Sequence, residues 1–373
     1  MKTKNIAIGV ITINSINYGN RLQNYALINY LSEYGEVKNI VREIGCMNEL
    51  DGIIPEKPLK RISKKTYLFI KKVAKFFVKH KDYVLEKERN KNFYYFNEFI
   101  PMGEKLSPKT NFDALVSTYD YFVTGSDQVW NPNFSGNGMF VNMLGFAPAQ
   151  KKIAGCPSIS VDELTENQKK EFKKYLSDFK ALSCREQQGA DLITEITGRE
   201  CTGLIDPTLM LSAEDWDLVS RKPKWHDENR KYILMYFLGN ITNEYEQIIE
   251  VISQKYHLEI INMYDRKNVY YSCGPSEFIW MIKHCSIMLT DSFHGLVFSY
   301  IYNRPVRLFK RKDSFMSMNS RMTNLINKLH LDNTIFIDED FSIDNVFDVN
   351  YEKSFLVSEQ QRFIKYFKES FRK

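Results

Sequence analysis

One histidine stands where a strand should end. The run Thr290-Asp291-Ser292-Phe293-His294-Gly295 follows the apolar stretch Ser286-Ile287-Met288-Leu289 and precedes the aromatic-rich Leu296–Tyr302. This order reads as strand, polar turn and helix, with His294 at the carboxyl end of the strand. In open α/β folds that end faces the ligand crevice, and a helix N-terminus there favours anions. An imidazole near its ordinary pKa can give or take a proton. Arg185 ends a second apolar run, Ala181–Cys184, and Arg304, Arg307, Lys310, Arg311 and Arg321 follow the histidine. Guanidinium groups suit paired hydrogen bonding to carboxylate or phosphate. One histidine and several arginines at strand ends therefore point to proton transfer on an anionic substrate.

Other chemistries find less support. Ser292 and His294 lie two residues apart, too close in the chain for a catalytic pair, and no G-x-S-x-G elbow is present. No G-x-G-x-x-G or Walker A loop occurs, so nothing points to nicotinamide or P-loop chemistry. Asp215-Trp216-Asp217 and Asp338-Glu339-Asp340 match a loose D-x-D spacing, but the first reads as a helix start capped by Ser212 and the second as a surface loop. No metal is expected at either. Six cysteines form no C-x-x-C pair and no cluster with histidine, which suits reduced thiols in the cytoplasm.

The elements that must position these residues alternate. Ile6–Ile13 reads as a buried strand, Asn14–Asn20 as a polar loop and Arg21–Tyr34 as a helix. Glu36–Glu43 gives a second strand. A further unit follows near Ala114–Val116 and Tyr121–Val123, leading into Thr124-Gly125-Ser126-Asp127-Gln128. The pattern restarts after Asp206-Pro207-Thr208, with strands at Tyr232–Leu238, Glu259–Asn262 and Pro305–Phe309 and helices at Asn243–Tyr256 and Ser276–His284. Two such runs imply an α/β protein of two Rossmann-like, doubly wound domains facing a cleft. Their expected extents are 1–212 and 213–350, with a helix in 351–373 returning to the first domain. A length of 373 residues also favours two cores.

Charge is uneven. The net charge is +5, yet Lys57–Lys91 alone carries 13 Lys/Arg against 3 Asp/Glu. Apolar residues such as Phe69, Val73 and Phe77 recur there at helical spacing, with Lys64, Lys65, Lys71, Lys72, Lys75 and Lys79 opposite. A basic amphipathic insertion of this kind can lie on an anionic membrane surface or can simply present a solvated face. No nucleic-acid-binding motif accompanies it, so no nucleic-acid partner is expected. The N-terminal apolar run is too short for a signal peptide, and no stretch approaches a membrane span. A cytoplasmic protein, peripheral at most to the membrane's inner face, is expected.

Four segments together resemble the polysaccharide pyruvyl transferase family: Asn17-Tyr18-Gly19-Asn20-Arg21-Leu22-Gln23-Asn24-Tyr25-Ala26-Leu27; Gly125-Ser126-Asp127-Gln128-Val129-Trp130-Asn131-Pro132; Ser183-Cys184-Arg185-Glu186 with Asp206-Pro207-Thr208; and Thr290–Gly295. The resemblance implies a fold like that of type-B glycosyltransferases, with the acceptor held by the first domain and the donor by the second. It implies transfer of a carboxyethylidene group from phosphoenolpyruvate to two hydroxyls of a sugar, on a glycan or a polyprenyl-linked saccharide, without metal or redox cofactor. By family motif His294 is the catalytic candidate and Arg185 the donor ligand. Members often carry arginine two residues before the motif histidine, where this chain has Ser292; Ser292 is expected to contact the donor, and Lys310 or Arg321 to supply the missing charge. Asp127 is expected to deprotonate a hydroxyl, and Tyr18, Asn20, Gln23, Asn24, Trp130 and Asn131 to bind the acceptor. A nucleotide-sugar glycosyltransferase of the same fold, or a non-catalytic scaffold at the membrane, remain alternatives.

Overall fold

The computed structural model describes residues 6–42, 80–135, 139–227, 229–311, 318–331, 336–337 and 342–372. Among these residues eleven parallel strands run through two halves. In the first half β1 (Ile6–Ile11), β2 (Gly35–Arg42), β3 (Met102–Leu106), β4 (Tyr121–Thr124) and β5 (Lys152–Ala154) form one sheet in the order β3-β2-β1-β4-β5. A short pair, β6 (Ser183–Cys184) and β7 (Thr202–Gly203), continues from its edge through a bridge between Ile153 and Ala181. In the second half β8 (Tyr232–Tyr236), β9 (Glu259–Asn262), β10 (Ile287–Thr290) and β11 (Val306–Leu308) run in the order β11-β10-β8-β9. Strands β1, β4, β8 and β10 are short apolar runs because helices cover both faces of a parallel sheet.

Each sheet reverses its order at one point, and there the loops beyond the strand ends diverge to leave a crevice. In the first sheet that point lies between β1 and β4, which brings Thr12–Asn17 beside Gly125–Asn131. In the second it lies between β8 and β10, which brings Leu238-Gly239 beside Asp291-Ser292. The loop containing Asp127 and the turn containing His294 are thus placed by topology.

Helix α1 (Tyr18–Leu31) follows β1 directly. It starts three residues before the predicted position because the Asn17 side chain accepts from the Asn20 backbone and caps it. All of its residues but Asn29 are buried, so its polar side chains must find partners inside the protein. Helix α2 (His80–Phe96) is the described end of the basic stretch. It crosses to the second half, where the Asn92 side chain donates to Ser272 O at 2.9 Å and accepts from Arg221 at 3.0 Å. The lysines of the predicted lipid-facing side, Lys64–Lys79, lie outside the described residues.

Helices α3 (Phe112–Thr118), α4 (Pro132–Ser135), α5 (Met139–Asn142), α6 (Glu166–Leu176) and α7 (Gln187–Thr197) complete the first half. The second has α8 (Ala213–Asp217), α9 (Asn243–Tyr256), α10 (Pro275–His284), α11 (Phe293–Ile301) and α12 (Met318–Lys328). The last helix, α13 (Ser354–Ser370), packs against α1: Phe363 and Phe367 meet Tyr30 at 5.0 and 5.5 Å between ring centroids. Its Tyr366 hydroxyl donates to Ala154 O at 2.7 Å, at the end of β5. The chain therefore finishes on the first half. Asp215 sits in α8, whose capping box with Ser212 uses its carboxylate; Asp338 and Asp340 lie outside the described residues.

Candidate active site

The loop after β4 turns sharply at Asp127, whose φ of 56° is in the left-handed region that Asp tolerates better than most residues. Backbone bonds fix the turn: Asp127 O accepts from Val129 N at 2.9 Å and from Ser158 N at 2.6 Å. Gln23 of α1 ties it to β1. Its Nε2 donates to Thr12 Oγ1 at 2.9 Å, and its Oε1 accepts from Ser126 N at 2.9 Å. Asn20 donates from Nδ2 to the Asp127 carboxylate and accepts from the Ser15 hydroxyl. The predicted group Asn20, Gln23 and Asp127 thus forms one hydrogen-bonded unit.

Arg185 enters from the end of β6 and meets three carboxylates. Asp206 Oδ2 lies 2.8 Å from Nη1, Asp127 Oδ1 lies 3.5 Å from Nη2, and Glu186 Oε1 lies 3.7 Å from Nε. The guanidinium also stacks 4.7 Å from the centroid of the Phe293 ring. Asp206 caps the turn Pro207–Met210, its Oδ1 accepting from Thr208 N at 3.0 Å and Thr208 Oγ1 at 2.6 Å.

His294 reaches this group from the other half. Ser292 caps α11 by accepting from Gly295 N at 3.4 Å, which sets His294 in the first turn. The imidazole Nε2 lies 3.8 Å from Asp206 Oδ2 and makes no hydrogen bond among the described residues. Its other face lies on α1: a Cβ at Gly19 would be 2.1 Å from His294 Nδ1, so only glycine leaves room for the ring. One histidine of the second half therefore contacts α1 and Asp206 of the first.

Burial sets the protonation states. Removal from water pushes the His294 pKa below its ordinary value of 6.5, although Asp206 and Asp127 oppose this. Burial also works to raise the Asp206 pKa, but His294 whenever it is protonated, Arg185 and the Thr208 hydrogen bonds outweigh it and hold the carboxyl below its usual range. Desolvation opposes the Arg185 charge, and Glu186, Asp206 and Asp127 more than restore it. The resting site thus holds a neutral imidazole between an ionised carboxylate and a permanent cation. A cavity of about 20 Å³ adjoins Arg185, Asp206 and Phe293, with Asn324, Leu325 and Lys328 of α12 on its far side. It has room for about one water. Lys328 Nζ donates to the backbone carbonyls of Arg185 at 3.3 Å and Leu204 at 2.9 Å.

Several predicted site residues stand elsewhere. Trp130 is fully buried; it packs on Phe179 and donates from Nε1 to Asn142 O at 3.3 Å, so its ring is not offered to a sugar. Tyr18 is fully buried too, stacked on Phe278 with ring centroids 4.4 Å apart and donating to Cys273 O at 3.0 Å. Asn131 shapes the turn by donating to Gln128 and accepting from Asn133 N. The Asn24 amide is buried with no hydrogen-bond partner among the described residues. The Ser292 hydroxyl serves as helix cap. Lys310 is exposed, its ammonium 5.6 Å from the Phe336 ring centroid, and does not join the Arg185 cluster. Arg311 is the basic residue held against this turn, its Nε 3.8 Å from Asp291 Oδ2. Arg321 lies in α12, with its side chain outside the described residues.

Residues 17–313 match the family described as polysaccharide pyruvyl transferase. The chain belongs to that family. As a family member it is a transferase of polysaccharide biosynthesis. No curated protein matches it in sequence. Among solved structures it is similar to the UDP-GlcNAc 2-epimerase of Methanocaldococcus jannaschii, a complex with UDP-GlcNAc and UDP. The identity is 11%, the similarity covers 98% of this chain and 99% of that one, and the TM-score is 0.51. The UDP-GlcNAc 2-epimerase of Neisseria meningitidis, bound to UDP-GlcNAc, is similar over 97% of this chain and 99% of that one, at 9% identity and a TM-score of 0.47. The first likeness shows the fold, two Rossmann-like domains arranged as in type-B glycosyltransferases.

Among this pyruvyl transferase's predicted site residues, His294, Arg185, Asp127 and Asn20 come together. Asp206, Glu186, Gly19 and Phe293 join them unpredicted. Asp206-Pro207-Thr208 reads in the sequence as a boundary, and an aspartate before Pro-Thr was the available signal for a capped, buried turn.

Proposed function

We propose that the enzyme transfers the carboxyethylidene group of phosphoenolpyruvate to two hydroxyls of one sugar, on a glycan or a polyprenyl-linked saccharide. The reading rests on the juxtaposition of His294, carried by the second half, with Arg185, Asp206 and Asp127 of the first, in a chain of this family.

The reaction sets the roles. His294, protonated as the anionic donor binds and stabilised as imidazolium by Asp206, delivers its proton to the C3 methylene and leaves C2 as an oxocarbenium-like centre. The first hydroxyl oxygen then bonds to C2 and gives its proton back to the imidazole. The bond from C2 to the phosphate oxygen breaks next, its electron pair leaving with phosphate. Arg185 shifts from its longer contacts to balance the departing charge. The second hydroxyl adds to the oxocarbenium-like carbon and yields its proton to Asp127, which closes the ketal. No step calls for a metal or redox cofactor.

Purified enzyme incubated with phosphoenolpyruvate and candidate glycans should release phosphate and yield a ketal visible by NMR. His294→Asn should abolish both while leaving the fold intact. Phosphoenolpyruvate should raise the melting temperature of the wild type. Stabilisation by sugar nucleotides alone would overturn the donor assignment and favour a glycosyltransferase of the same fold.

A further inference from the structure

Arg89 of α2 is a buried cation with no carboxylate partner among the described residues. It is 2% exposed. Its Nη1 donates to the Tyr18 hydroxyl and to the backbone carbonyls of Tyr271 at 3.2 Å and Cys273 at 3.4 Å. Its Nη2 is buried and makes no hydrogen bond. Among the described residues no carboxylate lies within 4.0 Å of it. Rings surround the charge instead: Tyr18, Tyr271, Phe93 and Tyr264 have centroids 4.6, 4.9, 5.0 and 5.3 Å from its central carbon.

Burial opposes the Arg89 charge and the surrounding tyrosines more than restore it, so the guanidinium stays a cation with one nitrogen unpaired among the described residues. The other buried arginine of the cleft shows the contrast, since Arg185 already faces three carboxylates. Among the described residues Arg89 has no such acids, so its guanidinium stays open to an anionic group. Its position fits: Tyr18 and Tyr264 both pack on Tyr236, the last residue of β8, where open sheets bind ligands. Tyr18 also precedes Gly19, the residue that touches His294. Arg89 sits in the seam between the halves, with Tyr18 and Phe93 on one side and Tyr264 and Tyr271 on the other.

We infer that Arg89 is an anion-binding residue whose free Nη2 takes an oxygen of a phosphate group on a substrate of this enzyme. The inference rests on the transfer reading for the chemistry of the ligand. Two sources share that chemistry, the phosphate of the donor and the diphosphate of a lipid-linked acceptor.

Titrations of phosphoenolpyruvate, inorganic phosphate and pyrophosphate into wild type, Arg89→Met and Arg89→Lys test it. Among these ligands, one that binds the wild type should bind Arg89→Met at least about thirtyfold more weakly, the effect of deleting one member of a buried charged contact. Arg89→Lys should retain part of the affinity. Selective loss for phosphoenolpyruvate assigns the donor phosphate, and selective loss for pyrophosphate the acceptor. The ligand-free Arg89→Met protein should melt no lower than the wild type, because an apolar side chain suits a box of rings. Equal affinities in wild type and Arg89→Met would overturn the inference, and so would a lower melting temperature with unchanged affinity. Failure of the wild type to bind any of the three would overturn it also. If Arg89→Met binds normally while the wild type still makes ketal, only Arg89 loses its role; if no ketal forms at all, the transfer reading fails by itself.

Discussion

Gly19→Ala is the sharpest probe of the contact between the halves. An alanine Cβ would lie 2.1 Å from His294 Nδ1, 2.5 Å from Cε1 and 2.8 Å from Cγ. Ordinary contact begins at 3.4 Å, so the imidazole must retreat by about 1.3 Å, the difference between 3.4 and 2.1 Å. A misplacement of about 1 Å in a catalytic group can cost about a hundredfold in rate. The effect on stability is smaller. Overpacking costs about 1–3 kcal/mol, while alanine in place of helical glycine returns up to about 1 kcal/mol. The net loss of about 0–2 kcal/mol leaves a folded enzyme. Phosphate release gives kcat/KM, and thermal unfolding followed by circular dichroism gives stability. The expected result is a fall in kcat/KM near a hundredfold with a drop of only a few degrees in melting temperature. Adding Gly19→Ala to His294→Asn should cost nothing further in activity, since both act on one group. Activity within threefold of the wild type would refute the reasoning, because the ring's position would then not matter.

Two further outcomes follow from the burial of specific side chains. The His294 pKa lies below 6.5 in the folded state, so the unfolded chain binds more protons just below that pH. Its contribution to stability is therefore full above pH 6.5 and is lost as pH falls towards the folded pKa; urea unfolding should show a wild-type decline between pH 7.5 and 5.5 that is shallower in His294→Gln, and equal slopes would show that the imidazole is not held neutral. Trp130→Ala should cost about 3–5 kcal/mol in urea unfolding, the usual range for a buried aromatic, while KM for the acceptor sugar stays constant; a raised KM in a fully stable protein would return Trp130 to the sugar site.

Much of the frame was legible because periodicity survives without tertiary knowledge. Asn243–Tyr256 is a helix and Glu259–Asn262 a strand at the predicted residues, since a buried stripe repeats every three to four residues in one and the pair Ile260-Ile261 marks the other. The start of α1 was missed because Asn17 reads as loop until its side chain is seen to cap the helix. His294 was legible from its place at a strand end. Asp206 was not, because its partners Arg185 and His294 lie 21 and 88 residues away in the chain. Trp130 and Tyr18 are buried where acceptor contact was expected, for a related reason: an aromatic at a loop or helix start has the same identity whether it faces the cleft or the core.

The amino-acid sequence alone determined the alternation of strands and helices, the two-domain class and the family, and it marked His294 and Arg185 as reactive types at strand ends. Those properties are local, carried by spacing and residue chemistry. Only the tertiary structure decided that His294 rests on Gly19 and faces Asp206, that Arg185 is shared by three carboxylates, and that a helix from the basic stretch places Arg89 in the seam between the halves. Such contacts depend on how the halves close on one another, and no spacing within either half encodes that.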